Sequence, residues 1–235
     1  MDTVWAIFRE AIVLILIGDP DLWEIIALSL RVTLTAVTLA CLIGLPLGAL
    51  VGAFRFPGRT VAVVLLNTLM GLPPVTVGLL VYLMLSRTGP LGPLGLLYTP
   101  TAMVVAQTIL VTPIIAALTR QVVEDLYAEY AEQFASLGVG AWARLTALLW
   151  DALVSLMTVA LAGFGRAVAE VGAVIIVGGN INHVTRVMTT SIALETSKGN
   201  LELALALGLV LLALAVVVNA VVMGIRASAV RAAYV

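Results

Sequence analysis

Four long stretches of this chain contain no charged residue, and they constrain its fold more than any other feature. They are Val32–Phe54, Thr60–Ser86, Thr88–Thr119 and Leu203–Ile225. Each is at least as long as the roughly 20 apolar residues that a helix needs to cross a bilayer. Only 11% of the residues are charged, against about a quarter in soluble domains. The sequence therefore predicts an all-α polytopic membrane protein.

Five membrane spans follow from these stretches and from one further apolar run that contains two charges. The predicted spans are roughly Ile25–Phe54, Val61–Leu85, Pro100–Leu118, Ala152–Val177 and Leu201–Ile225. Five crossings place the two chain ends on opposite sides of the membrane. Lys and Arg are in excess in cytoplasmic loops, and this chain meets that rule best with its C-terminus inside and its N-terminus outside. A single transmembrane domain, residues 25–226, would then end in a short cytoplasmic tail, 227–235.

Residues 1–24 are treated separately, because their apolar run is too short to be a span. Val4–Ile17 also carries Arg9 and Glu10, and the chain begins Met1-Asp2 rather than with the positive charge of a signal peptide. We interpret the segment as an amphipathic helix that lies in the membrane interface. The alternative is a tilted extra span.

The composition excludes several functional classes. Twelve basic residues against thirteen acidic ones provide no basic field for nucleic acid. One Cys and one His are too few for a zinc site built from those side chains, and no pair has the spacing of a nucleophile and its base. The only lysine, Lys198, follows Ser197, so a phosphate loop ending in Gly-Lys is impossible. We predict no catalytic residue, metal or cofactor in this chain, and any use of ATP would require another subunit.

Polar and helix-breaking residues interrupt the predicted spans at several points. Pro73, Pro74 and Pro113 would kink helices at membrane depth, either beside a transport pathway or for packing alone. Arg166 and Glu170 lie four residues apart in the fourth span, where each charge alone would cost about 2.5–3.5 kcal/mol. Their spacing allows an intrahelical ion pair. That pair is either a structural clamp or a group that lines the pathway and moves with gating.

The one long cytoplasmic segment is the loop 119–151. Tyr127, Tyr130, Phe134 and Leu137 recur at helical spacing, and Gly138 follows as a residue free to end the helix with positive φ. A second apolar face begins at Trp142. Periodicity alone leaves two interpretations open, since the loop could fill the groove of another protein or pack on its own domain.

The residues of this loop resemble a known signature. Glu132–Gly138 is similar to the E-A-A-x-x-x-G motif of permease subunits in binding-protein-dependent ABC importers. The match falls on Glu132, Ala135 and Gly138. The sequence departs from the motif at Gln133 and Phe134, and Leu148-Leu149-Trp150-Asp151 stands where the family has I-x-L-P.

Further segments extend the resemblance over nearly the whole chain. Gly71–Gly78 resembles the L-P-P-x-x-x-G segment of molybdate-type permeases, and Arg166–Ala173 resembles their R-A-x-x-E-x-G-A segment, followed by Gly178–Ile181. With the opening Gly18-Asp19-Pro20 and the run Asn67–Met70, the chain is most similar to the tungstate-type permeases of this molybdate and tungstate group.

The resemblance implies a type I ABC importer transmembrane domain in a prokaryotic cytoplasmic membrane. A homodimer would import an oxyanion, with tungstate as the expected substrate, by alternating access. Separate ABC ATPase subunits would bind the coupling helix, and an extracytoplasmic oxyanion-binding protein would deliver the substrate. The residues expected at the ATPase contact are Glu132, Ala135 and Gly138, with Tyr130, Phe134 and Leu137 as apolar anchors.

Other functions remain open at this stage. The same architecture could carry molybdate, sulfate, phosphate or an amino acid. An ATP-independent transporter would usually show more spans and a symmetric repeat, and it would have no use for the coupling loop. The chain could also be an integral-membrane enzyme or an assembly protein, and the absence of a catalytic cluster argues against the enzyme.

Overall fold

The computed structural model describes the backbone of residues 2–233 and, within that range, the side chains of residues 5, 7, 9–225, 227 and 228. Every regular element in this range is helical, as predicted. The α-helices are α1 Asp2–Ile17, α2 Pro20–Ala53, α3 Arg59–Met70, α4 Pro74–Leu85, α5 Pro100–Ser136, α6 Ala141–Asp151, α7 Leu153–Val168, α8 Gly172–Gly178, α9 Met188–Lys198 and α10 Leu201–Ala233, and a 3-10 turn covers Gly92–Leu94. Part of the predicted tail 227–235 thus continues α10, and residues 234–235 lie outside the described residues.

The long apolar helices agree with the predicted spans. α2, α5 and α10 are each long and apolar enough to cross a membrane, and the pairs α3 with α4 and α6 with α7 could supply two more as bent spans. The prediction of one continuous helix over 152–177 was wrong, because α7 ends at Val168 and α8 begins only at Gly172. The predicted span 61–85 is interrupted at the prolines that the sequence analysis singled out, because the chain leaves the helix between Met70 and Pro74.

The start of α2 follows from its local sequence. Gly18 takes a φ of +73°, a conformation that glycine adopts without strain. The Asp19 carboxylate then accepts hydrogen bonds from the backbone N–H groups of Asp21 and Leu22, at 2.9 and 3.1 Å. Pro20 stands at the first helical position, where no N–H is needed. These residues separate α1 from α2 as two helices.

The chain forms two compact units, each assembled from three separate stretches. Unit 1 comprises residues 1–36, 73–107 and 166–218, and unit 2 comprises residues 37–72, 108–165 and 219–235. In unit 1, apolar side chains of α1, α2, α9 and α10 share a core that includes Leu22, Ile26 and Leu207. Within the same unit α8 packs on α4, so closely that a Cβ on Gly78 would lie 2.8 Å from the Cα of Ala173.

Candidate functional site

The coupling loop of unit 2 is built as one long helix, a turn and a short helix. α5 continues without a break from the third predicted span to Ser136, so the aromatic stripe belongs to the span's own helix. Gly138 follows with a φ of +62°, which confirms the predicted helix end. The N–H groups of Gly138 and Val139 donate to Ala135 O and Phe134 O, at 3.3 and 3.1 Å, and satisfy the last carbonyls of α5.

The six residues predicted for the ATPase contact fall into two groups. Glu132, Ala135, Leu137 and Gly138 are exposed, and Leu137 keeps 76% of its surface accessible. Tyr130 and Phe134 are half-buried, and their rings contact each other edge to face at 6.0 Å between centroids. The Tyr130 hydroxyl also donates to the Asp151 carboxylate at 2.9 Å. The first group forms the tip of the loop, and the second holds α5 to the end of α6.

Behind the tip lies an apolar cluster that joins α6 to α2 and α5. Ala49 of α2, Val123 of α5 and Leu145 and Leu148 of α6 are buried together. Leu148 therefore packs inside unit 2 and anchors the coupling segment, although it stands where the family motif differs from this sequence. Movement of α6 would be passed directly to α2 and α5, since their side chains interlock here.

α2 and α5 approach each other at glycines that the sequence analysis did not single out. A Cβ on Gly48 would lie 2.2 Å from Ala116 O, and one on Gly52 would lie 2.8 Å from Arg120 O. Only glycine permits this backbone distance, because no real Cβ atom comes so close. With Gly44 they recur every fourth residue on one face of α2. This small-residue spacing is the signal in the sequence that could have predicted the contact.

A cluster of charged side chains lies at the same end of unit 2. Arg59, at the start of α3, makes an ion pair of 2.9 Å with Glu124 of α5, and Arg120 pairs with the same carboxylate. The Nε of Arg59 also donates to Val51 O at 2.9 Å, one of the last carbonyls of α2. The cluster thus fixes the turn between α2 and α3 to α5, and no pattern in the sequence had indicated it.

Unit 1 contains the predicted membrane ion pair, in a different backbone setting. Arg166 Nη1 lies 2.5 Å from Glu170 Oε2, so the pairing is confirmed. Glu170 lies beyond the end of α7, however, and its other carboxylate oxygen accepts the N–H of Ala173 at 3.0 Å. The expectation that both residues stand on one helix was wrong. Glu170 is 3% exposed, and the Arg166 side chain keeps 31% of its surface accessible.

The break between α7 and α8 leaves backbone carbonyls that must find partners at membrane depth. The Gln107 side-chain amide donates to Ala167 O at 3.1 Å, and the Thr189 hydroxyl donates to Glu170 O at 2.9 Å. Gln107 is 4% exposed. Two side chains distant in sequence therefore take the place of the hydrogen bonds that a continuous helix would make.

The predicted kink prolines occupy two kinds of position. Pro73 precedes α4 with extended backbone and Pro74 is its first residue, so these two residues start a helix rather than bend one. Pro113 lies inside α5, as the kink interpretation requires. Their relation to a transport pathway stays a prediction.

The loop between α8 and α9 carries a polar contact with the first turns of α2. His183 Nδ1 lies 2.7 Å from a carboxylate oxygen of Glu24. This hydrogen bond raises the pKa of His183 above its ordinary value. Asp21 is close by, since ligand atoms of the three side chains all lie within 4.8 Å of one another. All three residues are exposed.

Comparison with known proteins defines the class to which this fold and coupling loop belong. Residues 44–229 match the family described as binding-protein-dependent transport system inner membrane component. The chain belongs to this family, whose members carry the type I ABC importer membrane domain. It is a multi-pass inner-membrane permease subunit whose transport system includes an ATPase and a binding protein.

Individual relatives cover nearly the whole chain. It is 41% identical over 219 residues to the tungstate uptake system permease protein TupB of Peptoclostridium acidaminophilum, covering 93% of this chain and 96% of that protein. It is 42% identical to a probable anion ABC transporter permease protein of Haloferax volcanii, covering 87% and 91%. The TupB of Campylobacter jejuni is 34% identical, covering 93% and 92%. The sulfate transport system permease protein CysT of Escherichia coli is 28% identical, covering 81% and 75%.

Proposed function

We propose that this permease imports tungstate, with molybdate as the second candidate. The observation that carries the proposal is the similarity over nearly full length to two tungstate uptake permeases, at 41% and 34% identity. The sulfate permease CysT is similar at 28% identity over a smaller share of its length. The segments Gly71–Gly78 and Arg166–Ala173 support the same oxyanion group.

The working unit is a homodimer whose two copies frame the pathway. Its C-terminus is cytoplasmic, so that α5, the Gly138 turn and α6 project toward the ATPase subunits. The binding protein approaches from the opposite face and determines which oxyanion is delivered. A substrate held tightly at membrane depth would be slow to leave, and the partly exposed cation Arg166 suits weak, transient contact.

The exposed tip of the coupling loop contacts the ATPase. Glu132, Ala135 and Leu137 supply the contact surface, and Gly138 sets the direction in which it points. Tyr130 and Phe134 support the tip from inside, since both are half-buried against unit 2. An ATP-driven movement of the tip would pass through the Leu148 cluster into α2 and α5.

The break between α7 and α8 is the place where unit 1 can change shape. Its carbonyls are held by side chains of Gln107 and Thr189, and such bonds exchange more readily than those of a helix ladder. The pair Arg166–Glu170 serves as a clamp that holds one arrangement of this break. The Pro73-Pro74 start of α4 provides a further interruption near the pathway, and Pro113 removes one backbone hydrogen bond inside α5.

Uptake by the reconstituted system tests the substrate. The permease, its ATPase subunit and its binding protein would be placed in liposomes, and ATP-dependent accumulation of tungstate, molybdate and sulfate would be measured separately. Tungstate should accumulate at the lowest external concentration, and sulfate should not compete. Preferential sulfate uptake would overturn the proposal. Exchange for a molybdate-selective binding protein should shift the preference, whereas unchanged selectivity would place the filter in this chain.

A further inference from the structure

A cavity of about 200 Å³ opens in unit 2 beside the charge cluster. Its wall is formed by the end of α2, the turn that follows α2, and the part of α5 that continues beyond the predicted span. The lining residues that matter here are Gly52, Ala53, Arg55, Arg59, Glu124 and Tyr127. Neither the tip of the coupling loop nor the break in unit 1 makes use of this cavity.

The charges around the cavity favour an anion. Glu124 is the only acidic residue in its wall, and its carboxylate is shared between Arg59 and Arg120. Arg55 is exposed and makes no ion pair with any described side chain. With two arginines and one glutamate in the wall, and Arg120 paired to that glutamate from outside it, the site is positively charged. The next acidic residue of α5, Asp125, lines a different groove, between α5 and α7.

The surroundings of the cavity favour an anion that carries apolar chains. On α2 the side chains just before the cavity include the exposed Leu47 and Leu50, and on α3 those just after it include Val61 and Leu65, which are 62% and 54% exposed. Exposed aliphatic side chains on membrane helices contact lipid tails. Phe56, in the turn itself, is 42% exposed. The positive site therefore lies at the end of helices that carry exposed aliphatic side chains.

We propose that this cavity binds the headgroup of an anionic phospholipid. Arg55 and Arg59 hold its phosphate, and its acyl chains run along α2 and α3. Guanidinium groups match phosphate oxygens in geometry and charge, and basic pockets on the cytoplasmic side of membrane helices recognise such headgroups. The lipid would fasten the α2–α3 turn to α5, beside the Leu148 cluster that anchors α6. Only the choice of membrane leaflet rests on the proposed function. The lipid belongs to the cytoplasmic leaflet because the cavity and α6 lie at the same end of unit 2.

Native mass spectrometry of the purified full-length permease tests this site. The protein would be exposed to phosphatidylglycerol or to phosphatidylcholine with the same acyl chains, as wild type, Arg55→Gln and Arg87→Gln. Arg87 is an exposed arginine after α4 and serves as the matched loss of one charge. We expect wild type and Arg87→Gln to retain phosphatidylglycerol preferentially, and Arg55→Gln to lose about fivefold of that preference.

Three results would overturn the proposal. They are equal retention of the two lipids by wild type, an equal loss of the preference for phosphatidylglycerol in the two variants, and displacement of phosphatidylglycerol by millimolar inorganic phosphate. The last result would show that the site binds free anions. If wild type shows no lipid preference, a separate binding experiment in which ATPase recovery depends on Arg55 would identify a protein contact instead. The lipid measurement uses no ATPase and no transport substrate, so it can succeed or fail independently of the proposed function.

Discussion

The helices are held in opposite ways at the coupling end of unit 2 and at the α7–α8 break of unit 1. At the coupling end, α2 and α5 are held by contact between backbones, since a Cβ on Gly48 would lie 2.2 Å from Ala116 O. At the break, the helix itself is interrupted, and side chains such as Gln107 and Thr189 hold the freed carbonyls. The first region has no room to adjust, whereas the second is held by bonds that can exchange partners.

This difference indicates how the permease can transmit movement. A rigid pair of helices fastened to α6 can pass a displacement of the coupling tip into the membrane without absorbing it. A break held by individual hydrogen bonds can take up two arrangements at modest free-energy difference. We therefore expect substitutions at the coupling end to damage folding most, and substitutions at the break to have graded effects.

The largest effect is expected at the glycine contact. Gly48→Ala would force the α2 and α5 backbones apart, because the atom it meets is a carbonyl oxygen rather than a flexible side chain. The expected loss of stability is about 3 kcal/mol or more, at the upper end for overpacked cores. Thermal unfolding of the purified protein in detergent measures it. The control is Gly208→Ala in α10, where an added Cβ meets no atom within 4 Å, and equal unfolding temperatures for both variants would refute the contact.

A smaller loss of stability is expected when the ion pair at the break is broken. Glu170→Gln keeps an acceptor for the N–H of Ala173 but leaves Arg166 without its partner. We expect a loss of about 2 kcal/mol, less than for fully buried pairs because Arg166 is partly exposed. Glu170→Ala should lose about 1 kcal/mol more, since the start of α8 is then uncapped. Adding Arg166→Gln to Glu170→Gln should restore part of the loss, and no recovery would argue against the clamp.

The loss of a single hydrogen bond at the break should lower stability by less than the loss of the ion pair. Thr189→Val preserves the side-chain shape but removes the donor to Glu170 O, which should lower stability by about 1–2 kcal/mol. Thr146→Val removes an exposed hydroxyl that bonds within α6 and should change stability by less than about 0.5 kcal/mol. The two variants can be compared by the same thermal assay. If Thr146→Val proved the more damaging, the contrast between the two regions would fail.

The smallest effect is a pH dependence at the His183–Glu24 contact. The pKa of His183 is raised in the folded protein, so the protonated ring contributes stability below its unfolded pKa of about 6.5. That contribution disappears as the pH rises through the folded pKa. Wild type should therefore unfold later than His183→Gln at pH 5.5, and the difference should vanish toward pH 8.5. A difference that grows with pH would contradict the assignment.

Local sequence was sufficient for the features that depend on composition and spacing. The apolar runs predicted α2, α5 and α10, and Gly138 was expected to end a helix with positive φ because it follows the aromatic stripe directly and glycine adopts that conformation without strain. The pairing of Arg166 with Glu170 followed from their separation of four residues. Each of these features depends on residues that are near neighbours in the chain.

The features that were missed depend on distant partners. The segment after Arg166 has the spacing of a continuous helix, but the chain leaves the helix there, and Gln107 and Thr189 satisfy its carbonyls from elsewhere in unit 1. Glu124 has ordinary helical surroundings in the sequence, and its role appears only when Arg59 is brought to α5. No local pattern carries that information, because the free energy comes from contacts between separate stretches.

The central claim is that the turn at Gly138 directs the tip of the coupling loop into the ATPase. Gly138 has a φ of +62°, which valine tolerates poorly, whereas Gly140 has a φ of −63° with extended ψ that valine adopts easily. Mild-detergent purification of tagged wild type, Gly138→Val and Gly140→Val, with mass spectrometry of the retained partners, compares two equal substitutions two residues apart. The account predicts that the ATPase subunit is recovered with wild type and Gly140→Val and lost with Gly138→Val. Recovery of the ATPase with Gly138→Val at the wild-type level would contradict it.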